Sequence, residues 1–278
     1  MSRGKLDQSP LRELIAQHDI IGLVETWKNT AQGEELSVDG YTNFVEGAVK
    51  SGKKGRKSGG IIVYVKNKLL PAVSRIHGAG NAVWLCYEKH YHRAVFAFLY
   101  NAPTGSNYAD EDVFDGLETT VANLKDDGID DLVIYADINC RTGELDDRVR
   151  EGEPDDRVDL PLPEYYEHNP EVGPRASRDK VANSRGYDLI DFLKANSMLI
   201  VNGRVAGDSQ GEFTYISDSG NSMIDLCIAT YSAYSQVRQL EVIRDIHDSD
   251  HCPVSYELPT PLGNPLPSQD EAENQGPT

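Results

Sequence analysis

Several polar residues stand where apolar, strand-like text runs out. They are Glu25 in LVETW, Asp137 and Asn139 in YADIN, Asp225 in SMIDL, and Asp250 with His251 in SDH. A carboxylate at the end of an apolar strand is costly unless it is paired or holds a metal. Taken singly, each has an ordinary reading: an Asp there commonly forms a turn or caps a helix, and a His after Ser-Asp is commonly a hydrogen-bonded surface residue. Four such strand ends converging on one sheet edge are hard to explain as turns alone. Four carboxylates with an Asn and a His, and no Cys, make a hard oxygen site that suits Mg2+ or Mn2+. A divalent ion beside a His–Asp pair suits phosphodiester hydrolysis. The metal stabilises charge on the phosphate and leaving oxygen, and a base deprotonates the attacking water.

The elements that must position these residues are legible as short strands with few helices. Ser9-Pro10 reads as an N-cap and first helical residue, with Leu11, Leu14 and Ile15 on one face. The run Ile20 to Val24 reads as a buried strand ending at Glu25. IIVYVK, AVWLCYEK, RAVFAFLY and DLVIYADIN are further strands, and residues 110–126 are helical with Val113, Leu117, Val121 and Leu124 in phase. A helix runs near Arg185 to Asn196, followed by short strands in MLIVN, EFTYIS, MIDLCIAT, VRQLEVIRDI and PVSYEL. Residues 144–182 lack periodicity and read as an irregular, partly disordered insertion. The last 20 residues hold five prolines and read as a disordered tail, leaving a domain over residues 1–258. Strands outnumber helices and tidy strand–helix–strand units are few, which favours an α/β sandwich with mixed sheets.

Composition bounds the function classes. With 278 residues, 39% hydrophobic and 26% charged, the chain is no disulfide miniprotein, collagen or wholly disordered protein. No apolar run approaches the roughly 18 residues of a membrane span, and MSRGKLDQSP lacks the apolar core of a secretory signal. Cys86, Cys140, Cys227 and Cys252 stand far apart without a CxxC pair, so they predict buried, reduced thiols and no zinc site, in an intracellular, nuclear protein. The net charge of -18 argues against non-specific coating of nucleic acid. The charge is uneven: residues 110–159 hold 18 acids and 5 bases, whereas Lys50, Lys53, Lys54, Arg56 and Lys57 form a basic run without an acid. Such a run is commonly a solvated loop; here it is also a candidate for local phosphate contact on an acidic body. Arg141 and Arg204 are lesser candidates for phosphate contact, with structural roles as the plainer reading. Trp27 reads as core.

The order and wording of these segments resemble the endonuclease/exonuclease/phosphatase superfamily, which is deoxyribonuclease I-like. Within it the text is similar to the apurinic-type endonuclease domain of non-LTR retrotransposons. The matching motifs are LVETW, GGIIVYVK, LYNAPTGS, YADINCRTG, NSRGYDLIDFL, IVNGRVAGDSQGEFTY, NSMIDLCIA and SDHCPV, in that order over residues 10–258. The resemblance implies a four-layered sandwich of two mixed β-sheets flanked by helices, an α/β (α+β) fold. It also implies a Mg2+-dependent endonuclease (Mn2+ as a substitute) whose partner is DNA. It implies Glu25 and Asp250 as metal ligands, Tyr100 as a phosphate contact, and Asp137 as the group acting on the nucleophilic water. Asn139 orients phosphate, and Asp225 orients His251, which is either base or phosphate contact. Lys53, Lys54, Arg56, Lys57 and Arg141 are the DNA-binding candidates.

Three departures qualify the resemblance. The family opens with a strand ending in a metal-site Asn, and only MSRGK stands where that strand would end, which predicts that the first strand is missing. Ala136 replaces a Gly and Ile138 a Phe around Asp137. No reverse-transcriptase region follows. Two other functions therefore compete: a catalytically weak transposon-derived remnant or binding module, and a phosphatase or an RNA or lipid phosphodiesterase on the same fold.

Overall fold

The computed structural model describes residues 9–50, 57–90, 92–149, 172–245 and 249–258. Helix α1 (Ser9–Gln17) leads into strand β1 (Ile20–Leu23). After a short helix α2 (Thr30–Glu34) come β2 (Tyr41–Glu46) and β3 (Ile61–Lys66). These strands form a three-stranded antiparallel sheet in the order β1-β3-β2. A second sheet is built from β4 (Val73–Ile76), β5 (Ala82–Lys89), β6 (His92–Tyr100), β7 (Asp131–Asp137), β8 (Met198–Ile200) and β11 (Asp225–Thr230), in the order β4-β5-β6-β7-β11-β8. It is mixed, because β6 and β7 run parallel and the other pairs antiparallel. Helix α3 (Val113–Asp126) makes the crossover that this parallel pair requires. Two ribbons complete the strands: β9 (Tyr215–Ser217) with β10 (Gly220–Ser222), and β12 (Gln239–Val242) with β13 (Val254–Glu257). Helices α4 (Ser184–Ala195) and α5 (Tyr231–Ser235) fill the remaining connections.

The period of two along each strand sorts the side chains into layers. On β3, Ile62 and Tyr64 pack with Ile15 of α1, while Ile61, Val63 and Val65 face Val83, Leu85 and Phe98 of the other sheet. On β5 to β7, the opposite set (Trp84, Val95, Ala97, Leu132, Ile134) packs on α3 and α4 through Leu117, Val121, Leu189 and Leu193. The order across the molecule is therefore helix, sheet, sheet, helices. Tyr41 and Tyr64 tie the outer layer together, donating to the carbonyls of Ile15 and Leu36.

Most of the anticipated elements form, within a few residues of their expected bounds. The segment 144–182 differs in part. Its described ends are packed: Asp147, Val172, Arg175, Ser177 and Asp179 are all buried. Asp147 and Arg204 are 0% and 2% exposed and form a two-point ion pair, with Asp147 also accepting from the Ile200 N–H. Arg204 is thus a structural residue, and breaking such a buried pair costs about 3–5 kcal/mol. Residues 150–171 of the expected insertion, and the tail from 259 onward, lie outside the described residues. Trp27, expected in the core, is 39% exposed. Glu25 and Trp27 both take left-handed backbone angles (φ 50° and 54°), which turn the chain after β1 outward. All four cysteines are free, with Cys86, Cys140 and Cys227 buried. Among the described residues, no helix is long and apolar enough to cross a membrane.

Candidate active site

Strand register assembles the site. Tyr100 of β6 lies beside Asp137 of β7, and Asp137 lies opposite Asp225 of β11. Three adjacent strands thus present polar residues at one level. All three have the parity of the face that points between the two sheets, since Phe98, Tyr135 and Cys227 precede or follow them by two residues. The site is where the inter-sheet core gives out. Glu25 arrives from the end of β1, held by Thr26 and Trp27 donating their N–H groups to Gly60 and Gly59 (3.0 Å each). The Tyr100 hydroxyl donates to Glu25 at 2.5 Å, joining the two sheets across the site.

His251 comes from the loop before β13 and is fixed by its neighbours. Cys252 N–H donates to Thr214 O at 2.7 Å, Ile216 N–H to Asp250 O at 2.8 Å, and the ring meets Tyr215 edge-on at 5.0 Å. Its Nδ1 is 2.9 Å from both carboxylate oxygens of Asp225. That bond fixes the tautomer and leaves Nε2 for the cleft. Burial alone would lower the His251 pKa. The bond to Asp225 and the charges of Asp225, Asp137 and Glu25 outweigh it and raise the value to about 9, so the imidazolium persists at neutral pH.

Asp137 is 3% exposed, and its Oδ1 has no hydrogen-bond partner among the described residues. Burial first, and then the charge of Asp225, push its carboxyl well above the usual carboxylate range, against the opposing effects of His251 and the Asn139 N–H. An unpartnered buried carboxylate oxygen is unstable in isolation. Ligand atoms of Glu25, Asp137 and His251 lie within 4.8 Å of one another. The donor set, two carboxylates with one unsatisfied oxygen facing a shared space, fits a hard divalent cation. Asn139, in the left-handed region at φ 51°, donates from Nδ2 to the Asn101 carbonyl at 3.0 Å, while Asn101 N–H donates to Asp137 O.

The cleft over these groups has a volume of about 420 Å3, with Arg141, Asn183, Tyr215 and Ser222 on its rim. Arg141 is at the cleft but is committed to Asp179 through two hydrogen bonds (2.9 and 2.5 Å), and Asp179 is 1% exposed. Asn183 caps α4, accepting from the Gly186 N–H at 2.9 Å. Asp250 is exposed; its carboxylate lies outside the cluster, and its carbonyl accepts the Ile216 N–H. Lys53, Lys54 and Arg56 fall outside the described residues. Lys57 is described and half-buried, and the loop that carries the basic run is pinched by the Val49–Ser58 bridge. Ser58, which follows Lys57, hydrogen-bonds Tyr100. Thr214 and Tyr215, which hold Asp225 and His251 in place, end the motif IVNGRVAGDSQGEFTY, but the sequence reading gave neither a role.

The fold is similar to solved structures at low sequence identity. The 3' phosphatase NExo from Neisseria, bound to a product DNA hairpin, superposes with a TM-score of 0.57 at 13% identity over 90% of this chain and 93% of that one. AP endonuclease LMAP from Leishmania major gives 0.66 at 14% over 93% and 84%. The endonuclease domain of TRAS1, a telomere-specific non-LTR retrotransposon, gives 0.55 at 13% over 93% and 95%. Such identities show the shared fold alone. Among curated proteins none matches. The family model described as endonuclease/exonuclease/phosphatase matches residues 2–251, nearly the whole chain and every residue of the cleft, and the protein belongs to that family.

Proposed function

We propose that the protein is a divalent-metal-dependent endonuclease that nicks DNA. The observation that carries this reading is the meeting of Glu25, the unpartnered Asp137 Oδ1 and His251, with His251 held by Asp225. Glu25 and Asp137 would hold Mg2+, with Mn2+ as a substitute. The bound ion supplies positive charge for the phosphate and leaving oxygen and favours the ionised form of Asp137.

The protein's own groups divide the remaining work. Asp137, whose carboxyl burial pushes above its usual range in the absence of the ion, is the group placed to take the proton of the attacking water. The water oxygen bonds to phosphorus as the ester P–O bond breaks, and the departing alkoxide takes its proton from solvent. His251, kept cationic by Asp225, donates from Nε2 to a phosphate oxygen, so the base role falls to Asp137. Tyr100 holds Glu25 and borders the same space. DNA is favoured as substrate by the basic run in the sequence, whose last residue, Lys57, precedes the Ser58 that hydrogen-bonds Tyr100, and by the DNA hairpin held by the Neisseria neighbour. The retrotransposon-type wording of residues 183–229 supports the same choice.

The test is nicking of supercoiled plasmid with Mg2+, with EDTA, and with His251→Ala and Asp225→Ala. Metal-dependent nicking lost in both variants is the expected result. A folded protein that never nicks overturns the reading in favour of a binding remnant.

A further inference from the structure

Past the site-facing ends of β1, β3 and β2 the chain stays bonded in three neighbouring segments. Trp27 N–H donates to Gly59 O at 3.0 Å, Ala48 N–H to Lys28 O at 2.7 Å, and Val49 N–H to Ser58 O at 3.0 Å. Residues 26–28, 58–60 and 48–49 thus form a small platform beside Glu25. It is tightly built: a Cβ at Gly60 would stand 2.8 Å from Thr26 Oγ1 and 3.0 Å from Lys28 O.

The platform presents Trp27 to solvent. The chain has two tryptophans. Trp84 is 1% exposed and donates from Nε1 to Ala79 O, whereas Trp27 is 39% exposed, with Val49 exposed nearby. Trp27 also keeps a left-handed backbone (φ 54°). For a bulky residue that conformation persists only where the surroundings hold it, and such residues cluster at functional sites. Here the bonds from Trp27 to Gly59 and from Ala48 to Lys28 hold it.

The neighbours of Trp27 favour nucleic acid over an apolar partner. Lys28 follows Trp27, Lys50 follows Val49, and Lys57 precedes Ser58. An aromatic face with cations beside it takes a nucleobase together with its phosphate backbone. Glu25, two residues before Trp27, belongs to the cluster where the scissile phosphate would sit. Two residues span at most about 7 Å, which is about two base steps along one DNA strand. In a regular duplex both faces of each base are covered by its neighbours. An indole therefore finds an open face only where a base is unpaired or unstacked.

We propose that Trp27 is a specificity-determining residue that stacks on an unpaired base within two nucleotides of the scissile phosphate, so that the protein selects DNA bulged or single-stranded beside the cut. This inference rests on the reading of DNA as the substrate.

Binding is measured with Mg2+ in the His251→Ala background, which is expected not to cut. The ligands are a regular duplex and the same duplex with a one-base bulge. Because Trp84 is buried, a change of tryptophan fluorescence on binding reports Trp27. The bulged duplex is expected to quench it, and Trp27→Phe to remove the quenching. By anisotropy of the labelled strand, the bulged duplex is expected to bind about tenfold or more tightly than the regular one. Trp27→Ala is expected to bring the two affinities within about twofold, and Trp27→Phe to restore most of the preference. Circular dichroism shows whether each variant is folded. Equal affinity for the two duplexes, no binding of either, or a preference that survives Trp27→Ala in a folded protein overturns the proposal. Plasmid nicking by the native chain is scored separately. Selective quenching without nicking supports this inference and counts against the endonuclease reading; nicking without the preference does the reverse.

Discussion

At the scale of single residues, the proposed mechanism turns on the pair Asp225–His251. The imidazole is kept charged to about pH 9, so a His251 that donates to phosphate is competent below that value. With His251 as donor, kcat/KM for a labelled duplex oligonucleotide falls above pH 9, by about tenfold per unit. A rate that rises through pH 9 would instead make His251 the base. The metal assignment separates two carboxylates that read alike in sequence. Glu25 is in the cluster and bonded by Tyr100, whereas Asp250 is exposed and apart from it. Glu25→Gln is expected to raise the Mg2+ concentration for half-maximal nicking more than about tenfold. Asp250→Asn is expected to change it by less than about threefold. A Mg2+ titration of both variants checks this, and an equal effect returns Asp250 to the ligand set.

At the scale of elements, sheet-on-sheet packing and one loop carry the predictions. Gly22 sits in β1 where the Phe98 ring of the facing sheet fills the space a side chain would need; an added Cβ would stand 2.1 Å from Phe98 Cδ1. Gly22→Ala is therefore expected to cost about 1–3 kcal/mol through overpacking. Calorimetry checks it, and an unchanged Tm would mean that β1 shifts freely against the second sheet. The basic loop between β2 and β3 makes a different kind of prediction. Replacing Lys53, Lys54, Arg56 and Lys57 by Ala is expected to weaken DNA binding and flatten its salt dependence by about one unit of slope per lost phosphate contact. An unchanged slope makes the loop merely solvated. Arg141, already bonded twice to Asp179, is expected to act on stability rather than on the slope.

At the scale of the whole molecule, buried acids set the response to pH. Burial would raise the pKa of Asp179, but Arg141 and the N–H groups of Met223 and Val181 outweigh it and hold the carboxyl below its usual range. Its folded pKa is lower than the unfolded one, so its stabilisation is present above the unfolded value and lost as pH falls through the folded value. Asp208 is opposite in sign. Burial raises it to about 6, so the stability it contributes is present below the unfolded value and lost as pH rises toward 6. Urea midpoints measured from pH 3 to 7 are expected to fall steeply at the acid end in the native protein and less steeply in Asp179→Asn. Asp208→Asn is expected to flatten the interval between pH 4 and 6. Parallel curves for all three proteins would place the acid response elsewhere.

The sequence by itself determined the strands that carry the chemistry and the residues at their ends. Period-two and continuous apolar runs such as IIVYVK and DLVIYAD fix which segments are buried strands, because alternation and burial are local consequences of composition. Polar residues at the ends of four such runs single out Glu25, Asp137, Asp225 and His251 as a set, although each has an ordinary reading by itself. Short or half-exposed elements were not legible. YTNFVE and VSRI form β2 and β4 because they pair with β3 and β5, and their own patterns are weak. What only the tertiary structure decided is adjacency. Register sets Tyr100, Asp137 and Asp225 in one row, and the turn after β1 exposes Trp27. Asp250 is kept out of the cluster that takes in its neighbour His251, because it lies exposed in the bend before it, with its carbonyl accepting the Ile216 N–H.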